Sequence, residues 1–120
     1  MVIQTHTLNE ESIAEVISES EVIATAEDGL NLLGNLYYQG FDRIMIHQKN
    51  ITPAFFDLKT GIAGEILQKF SNYRVRLAII GDFSHYPGQS MRDFIRESNR
   101  TGHIYFAASV AEAVEKWLSS

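Results

Sequence analysis

Asp82, Ser84 and His85 fall together in the run IIGDFSH, and they are the residue types of an orienting acid, a nucleophile and a base. Hydrolysis is the chemistry such a set would serve. Against it, neighbours in one loop rarely aim at one another as a triad requires, and no G-x-S-x-G elbow is present. Gly81 and Gly88 are too sparse to cradle a phosphate, and there is no Walker pattern. The four histidines, His6, His47, His85 and His103, show no H-x-H or H-x-x-x-H spacing, so a metal site would need scattered ligands. The sequence therefore names no metal and no cofactor.

A second candidate is Arg92, Arg96 and Arg100, which recur every fourth residue with Asn99 beside them. On a helix they form a cationic ridge whose like charges repel by a few tenths of a kcal/mol, and a small anionic ligand or an acidic partner is one reason to keep them. Arginine suits bidentate recognition of carboxylate or phosphate. The plainer account pairs Asp93 with Arg96 and Glu97 with Arg100, which makes a solvated mixed-charge face. Tyr37 and Tyr38 are adjacent on a predicted helix and cannot both point inward, which leaves one for a partner.

The elements that must position these residues read clearly in places. Val2 to Leu8 and Ser12 to Ser18 predict a β-hairpin around Asn9-Glu10-Glu11, although the spacing of the second arm also suits a helix. Thr25 with Asp28 is a capping-box signal for a first helix with Ala26, Leu30, Leu33 and Tyr37 on its apolar stripe and Gly40 past its end. Arg43 to His47 reads as a short strand. Thr52-Pro53 signals another helix running to about Asn72, with packing or a break implied near Gly61. Val75 to Ile80 is the most apolar strand and reads as covered on both faces. Ser90 with Asp93 repeats the cap pattern for a third helix with Met91, Phe94 and Ile95 inward, ended by Thr101-Gly102. His103 to Ala107 is the last strand. Ser109 with Glu112 caps a final helix whose inward residues are Val110, Val114, Trp117 and Leu118.

Strands alternating with helices over short connections predict one α/β domain over residues 1–120, a mixed and mostly parallel sheet with an N-terminal hairpin over 1–18, alternating elements over 25–120 and about four helices. In such sheets ligands gather beyond the carboxyl ends of strands, where Asp82, Ser84 and His85 would stand.

Bulk composition narrows the classes. The chain has 120 residues, enough for one well-buried core, and no cysteine, which excludes disulfides and thiolate metal sites. Fifteen acidic and ten basic residues give a net charge of −5, which argues against nucleic acid as the main ligand. The opening MVIQTHTLNEES predicts no signal peptide, and no apolar run is long enough for a membrane span. The expectation is a soluble, cytoplasmic protein.

The strings FFDLKTGIAGEILQKFSNYRVRLAIIGDFS and MRDFIRESNRTGHIYF resemble the bacterial domain-of-unknown-function family 4180, from about Ala26 to Trp117 and weakly before that. The family implies no established activity. A fold-level similarity is to STAS-type domains, the anti-sigma-factor antagonists, in which a hairpin precedes alternating helices and strands. STAS domains carry an Asp-Ser-Ser-Gly-type turn, and one of its hydroxyls is phosphorylated by a partner kinase. The matching segment here is Asp57-Leu58-Lys59-Thr60-Gly61, so this resemblance implies Thr60 as phosphoacceptor with Asp57 as the acid. Leu58 and Lys59 depart from the pattern. A phosphate at Thr60 would add close to two negative charges and so recruit or repel a partner surface. Otherwise Thr60 is a surface hydroxyl and Asp57 an acid that favours a helix dipole.

Two functions follow as expectations. One is a non-enzymatic regulatory or interaction domain of STAS-like type, using the loops Asn50 to Thr60 and Asp82 to Ser90 with the start of the third helix, and binding a protein or a second copy of itself. The other is a small enzyme or anionic-metabolite-binding domain built on Asp82, Ser84, His85 and Arg92.

Overall fold

Asn9 and Glu10 both take positive φ (49° and 71°) and turn the chain between β1 (Val2–Leu8) and β2 (Glu11–Ile17). Two such residues make the tight turn whose twist matches a hairpin. The rest of the computed structural model, which describes residues 1–84 and 86–118, alternates helix and strand. It runs through α1 (Ala26–Tyr38), β3 (Arg43–His47), α2 (Ile62–Asn72), β4 (Arg76–Ile80), α3 (Gln89–Thr101), β5 (Ile104–Ala107) and α4 (Val110–Leu118). The five strands lie side by side in chain order; β1 and β2 are antiparallel and every later pair is parallel. This is the mixed α/β architecture that the alternation predicts.

Chain order decides how the layers form. Each β-α-β crossover is right-handed by preference, so successive crossovers advancing in one direction stack their helices on one face. Accordingly Leu32, Leu33 and Leu36 of α1, Ala63, Ile66 and Phe70 of α2 and Met91 of α3 share one core with Ala14, Val16, Ile44, Ile46, Leu77, Ile79, Ile104 and Phe106 of the sheet. On the opposite face Ile13, Met45, Ala78, Ile80 and Ala107 meet Ala113 and Trp117 of α4.

Local details correct several sequence expectations. The inward residues of α1 are Gly29, Leu32, Leu33 and Leu36, and Tyr37 is half exposed. The cause is Gly29, which lets α1 approach α2 so closely that a Cβ there would sit 2.7 Å from Ile66 Cδ1. The helix expected from Thr52 onward is two short 3₁₀ turns (Pro53–Phe56 and Leu58–Thr60), and α2 starts only after Gly61 at φ 78°. The first residue before α3 is Gly88, not Ser90, and no side chain caps it. Leu118 is half exposed rather than inward. The Thr25–Asp28 capping box is present as expected; at Ser109 the hydroxyl accepts from Glu112 N, while the Glu112 carboxylate reaches back to Ala108 N.

Both α1 and α2 end in the same six-residue hydrogen-bond pattern: Phe41 N donates to Leu36 O, and Val75 N donates to Phe70 O. In the first, the left-handed position is Gly40; in the second it is Arg74, at φ 59°. A side chain at left-handed φ costs on the order of 1 kcal/mol. Arg74→Gly is therefore expected to raise stability by about 0.5 kcal/mol after the greater freedom of glycine in the unfolded chain is deducted. The check is a higher urea midpoint with an unchanged slope.

Candidate functional site

The loop after β4 stands beyond the carboxyl end of the sheet, and its residues alternate in direction. Asp82 and Ser84 face solvent, and Ser84 donates to Asp82 Oδ1 from both its N–H (3.1 Å) and its hydroxyl (2.6 Å). The structure thus brings the acid and the hydroxyl together as a turn; His85 lies outside the described residues. Phe83 and Tyr86 turn inward. Phe83 meets Phe106 edge-on at 5.1 Å and Tyr86 at 6.4 Å, while Phe56 lies against both, at 6.0 and 5.6 Å. Burial raises the Tyr86 phenol above its ordinary pKa. These rings close the sheet's carboxyl end near β4.

Two clefts flank Phe56. One of 280 Å³ lies among Glu21, Gln48, Lys49, Ile51, Pro53 and Tyr86. The other, of 210 Å³, lies among Asp57, Leu58, Lys59, Gly88, Ser90 and Met91. Asp82 and Ser84 line neither. An open α/β sheet forms its ligand crevice where the strand order reverses. Here the order never reverses, and the clefts at this end of the sheet lie beside Phe56 rather than beside Asp82.

Thr60 and Asp57 are exposed and adjacent, but both work within the 3₁₀ turns. The Thr60 hydroxyl shares its one proton between Ala54 O (2.7 Å) and Asp57 O (2.9 Å) and accepts from Ile62 N (3.3 Å), so it ties the turns to the start of α2. Asp57 Oδ1 accepts from Lys59 N. The arginine ridge is present on α3. Arg96 pairs with Asp93 at 3.1 Å, Arg100 with Glu97, and Arg92 donates to Gln89 Oε1 at 2.9 Å. The Arg100 guanidinium holds the Glu97 carboxyl below its ordinary pKa. Asn99 has a different task. Its amide accepts from Phe106 N (2.7 Å) and donates to Phe106 O (3.2 Å), which covers the outer edge of β5.

The most concentrated polar cluster was not legible in the residue spacing. Glu15, 8% exposed on β2, bonds His6 Nε2 of β1 through one oxygen and His47 Nε2 of β3 through the other, each at 2.8 Å. A carboxylate so placed orients two imidazoles and ties three strands together. Beside it on the same sheet face, Glu11 pairs with Arg43. Burial alone would raise the Glu15 carboxyl; the hydrogen bonds and charges of His47 and His6 outweigh it and hold the group below 4.5. One sign was available, an acid inside the otherwise apolar strand run IAEVI, but its partners lie nine and thirty-two positions away. Among the described residues no three His, Asp or Glu are arranged to hold a metal ion.

The family described as Domain of unknown function (DUF4180) matches residues 8–118. The chain belongs to this family. No curated protein and no solved structure matches it. The DUF4180 match begins earlier than the resemblance read from Ala26 onward, and it takes in β2 with Glu15. No helix among the described residues is long and apolar enough to cross a membrane.

In this DUF4180 domain the Glu15 cluster gives stability a pH signature. A carboxyl held lower in the folded than in the unfolded chain stabilises fully above the unfolded value near 4.5, and that contribution is lost as pH falls through the folded value. Glu15→Gln is expected to cost about 1–2 kcal/mol at neutral pH and to flatten the acid limb of stability below pH 4.5. Urea midpoints of both proteins across that limb test this, and parallel curves would refute it.

Proposed function

We propose that this domain is a non-enzymatic protein-interaction module of regulatory type, and that its partner at the free edge of β1 is a second copy of itself. The observation that carries the reading is the contrast between the two sheet edges. The β5 edge is covered by Asn99, whereas the seven residues of β1 meet β2 on one side and stand largely exposed. Natural proteins blunt such edges with lysine, proline or a bulge. VIQTHTL has none of these, and its register with β2 is unbroken.

The two-residue turn makes Leu8↔Glu11 the closing hydrogen-bonded pair, so Ile3, Thr5 and Thr7 direct their backbone N–H and C=O groups outward. Two β1 strands running antiparallel about Thr5 would set Thr5 opposite Thr5, Gln4 opposite His6, and Val2 opposite Leu8. VIQTHTL carries no Asp, Glu, Lys or Arg, so the pairing sets no like charges opposite each other. The pairing is two-fold, as a closed homodimer requires. Val2 (63% exposed) and Ile17 (40%) would gain cover beside it. The hairpin followed by alternating helices and strands, the order expected of STAS-type domains, supports the regulatory part of the reading.

Thr5→Pro separates fold from function, because proline removes an outward N–H that the hairpin does not use. Light scattering on wild type is expected to give twice the 13.6 kDa chain mass, and Thr5→Pro a monomer with unchanged circular dichroism. A monomeric wild type, or a dimeric Thr5→Pro, would overturn the proposal.

A further inference from the structure

We propose that the surface between α1 and α2, toward their carboxyl ends, binds a short acidic segment of a partner protein, with one aliphatic side chain in the groove and carboxylates on Lys69 and Arg74. The groove measures 150 Å³ and is lined by Leu30, Leu33, Gly34, Lys69 and Tyr73. A small-molecule pocket needs about 300 Å³ or more, whereas this volume takes a single side chain. A Cβ at Gly34 would meet nothing within 4 Å, so the space above it is open to an incoming group. At the rim Tyr73 and Tyr37, both half exposed, stand edge-on at 5.3 Å, and Tyr38 is 92% exposed. Tyrosine offers a large contact area at small entropic cost and is enriched where proteins meet.

Charge selects the partner. Lys69 is the one charged residue lining the groove, and Arg74 follows Tyr73 directly in the chain. Both are exposed, and among the described residues neither is paired with a carboxylate. In a chain of net charge −5 these two cations are left for a carboxylate from outside, and an acidic segment complements them. Arg74 also takes φ 59°, where glycine costs less, as Gly40 does at the matching end of α1. The arginine thus supplies, at a cost in backbone strain, a cation that the helix cap itself does not require. The groove belongs to α1 and α2, so binding there is independent of pairing at β1.

The test labels the protein with 3-fluorotyrosine, which gives a fluorine NMR signal for each of its five tyrosines. The probe is the end-blocked peptide Glu-Glu-Leu-Glu-Glu, with Lys-Lys-Leu-Lys-Lys as the control of opposite charge. The acidic peptide is expected to shift the Tyr37 and Tyr73 signals saturably and to leave Tyr105 in place, and the lysine peptide to move none of them. Lys69→Glu reverses the charge at the groove, and Gly34→Leu fills it from an exposed helix position; each is expected to weaken binding about tenfold or more. The proposal fails if the acidic peptide gives no saturable shift, if the lysine peptide acts equally, or if either variant binds as wild type does.

Discussion

Right-handed crossovers in a sheet whose strands follow chain order leave the connecting helices one side to occupy, and much of this molecule follows from that constraint. With α1, α2 and α3 on the same face, the first core is deep, and it is closely packed where Gly29 admits Ile66. The opposite face is left to α4, which follows the last strand and returns over β4 and β5. The β1–β2–β3 side of that face needs another means of closure. Glu15, His6 and His47 provide it with hydrogen bonds where the other face uses a helix.

Buried polar side chains take the same part elsewhere. Asn50 is fully buried; its side-chain amide donates to Ser18 O (2.9 Å) and Ser20 O (2.7 Å), and its backbone carbonyl accepts from Val22 and Ile23 N. It thereby holds the irregular segment between β2 and α1 against the end of β3. Asn99 does the equivalent for the β5 edge. Each of these residues satisfies backbone groups that regular structure leaves over, which is what a short chain with several irregular connections requires.

The legibility of the sequence followed the range of the interaction. Thr25 with Asp28, Gly40 and Gly102 could be read because caps act over a few residues, and strands β3 and β4 because apolar runs are local. Ser90 carries the same cap signal, but α3 begins one residue earlier, at Gln89, so the serine lies inside its first turn. The stripe of α1 was misplaced because Gly29 has no hydrophobicity to count, although its lack of a side chain sets how the helix is seated. Glu15, His6 and His47 could be found only through the register of β1, β2 and β3.

The loop after β4 shows what position in a fold decides for its side chains. Asp82 and Ser84 do lie past a strand's carboxyl end, and they do hydrogen-bond to each other. Such sheets commonly open a crevice where the strand order reverses; chain order has no reversal, and the clefts at this end lie beside Phe56. The loop then follows ordinary amphipathic logic: Phe83 and Tyr86 go down onto Phe56 and Phe106, and Asp82 and Ser84 go up into water. In water the fields that pre-organise a reacting group are heavily screened. The same ordering places β1 at the sheet's outer edge with no helix following it across that edge, so its backbone is left facing outward. One topological fact thus sets both the one-sided stacking of the helices and the outward-facing backbone of β1.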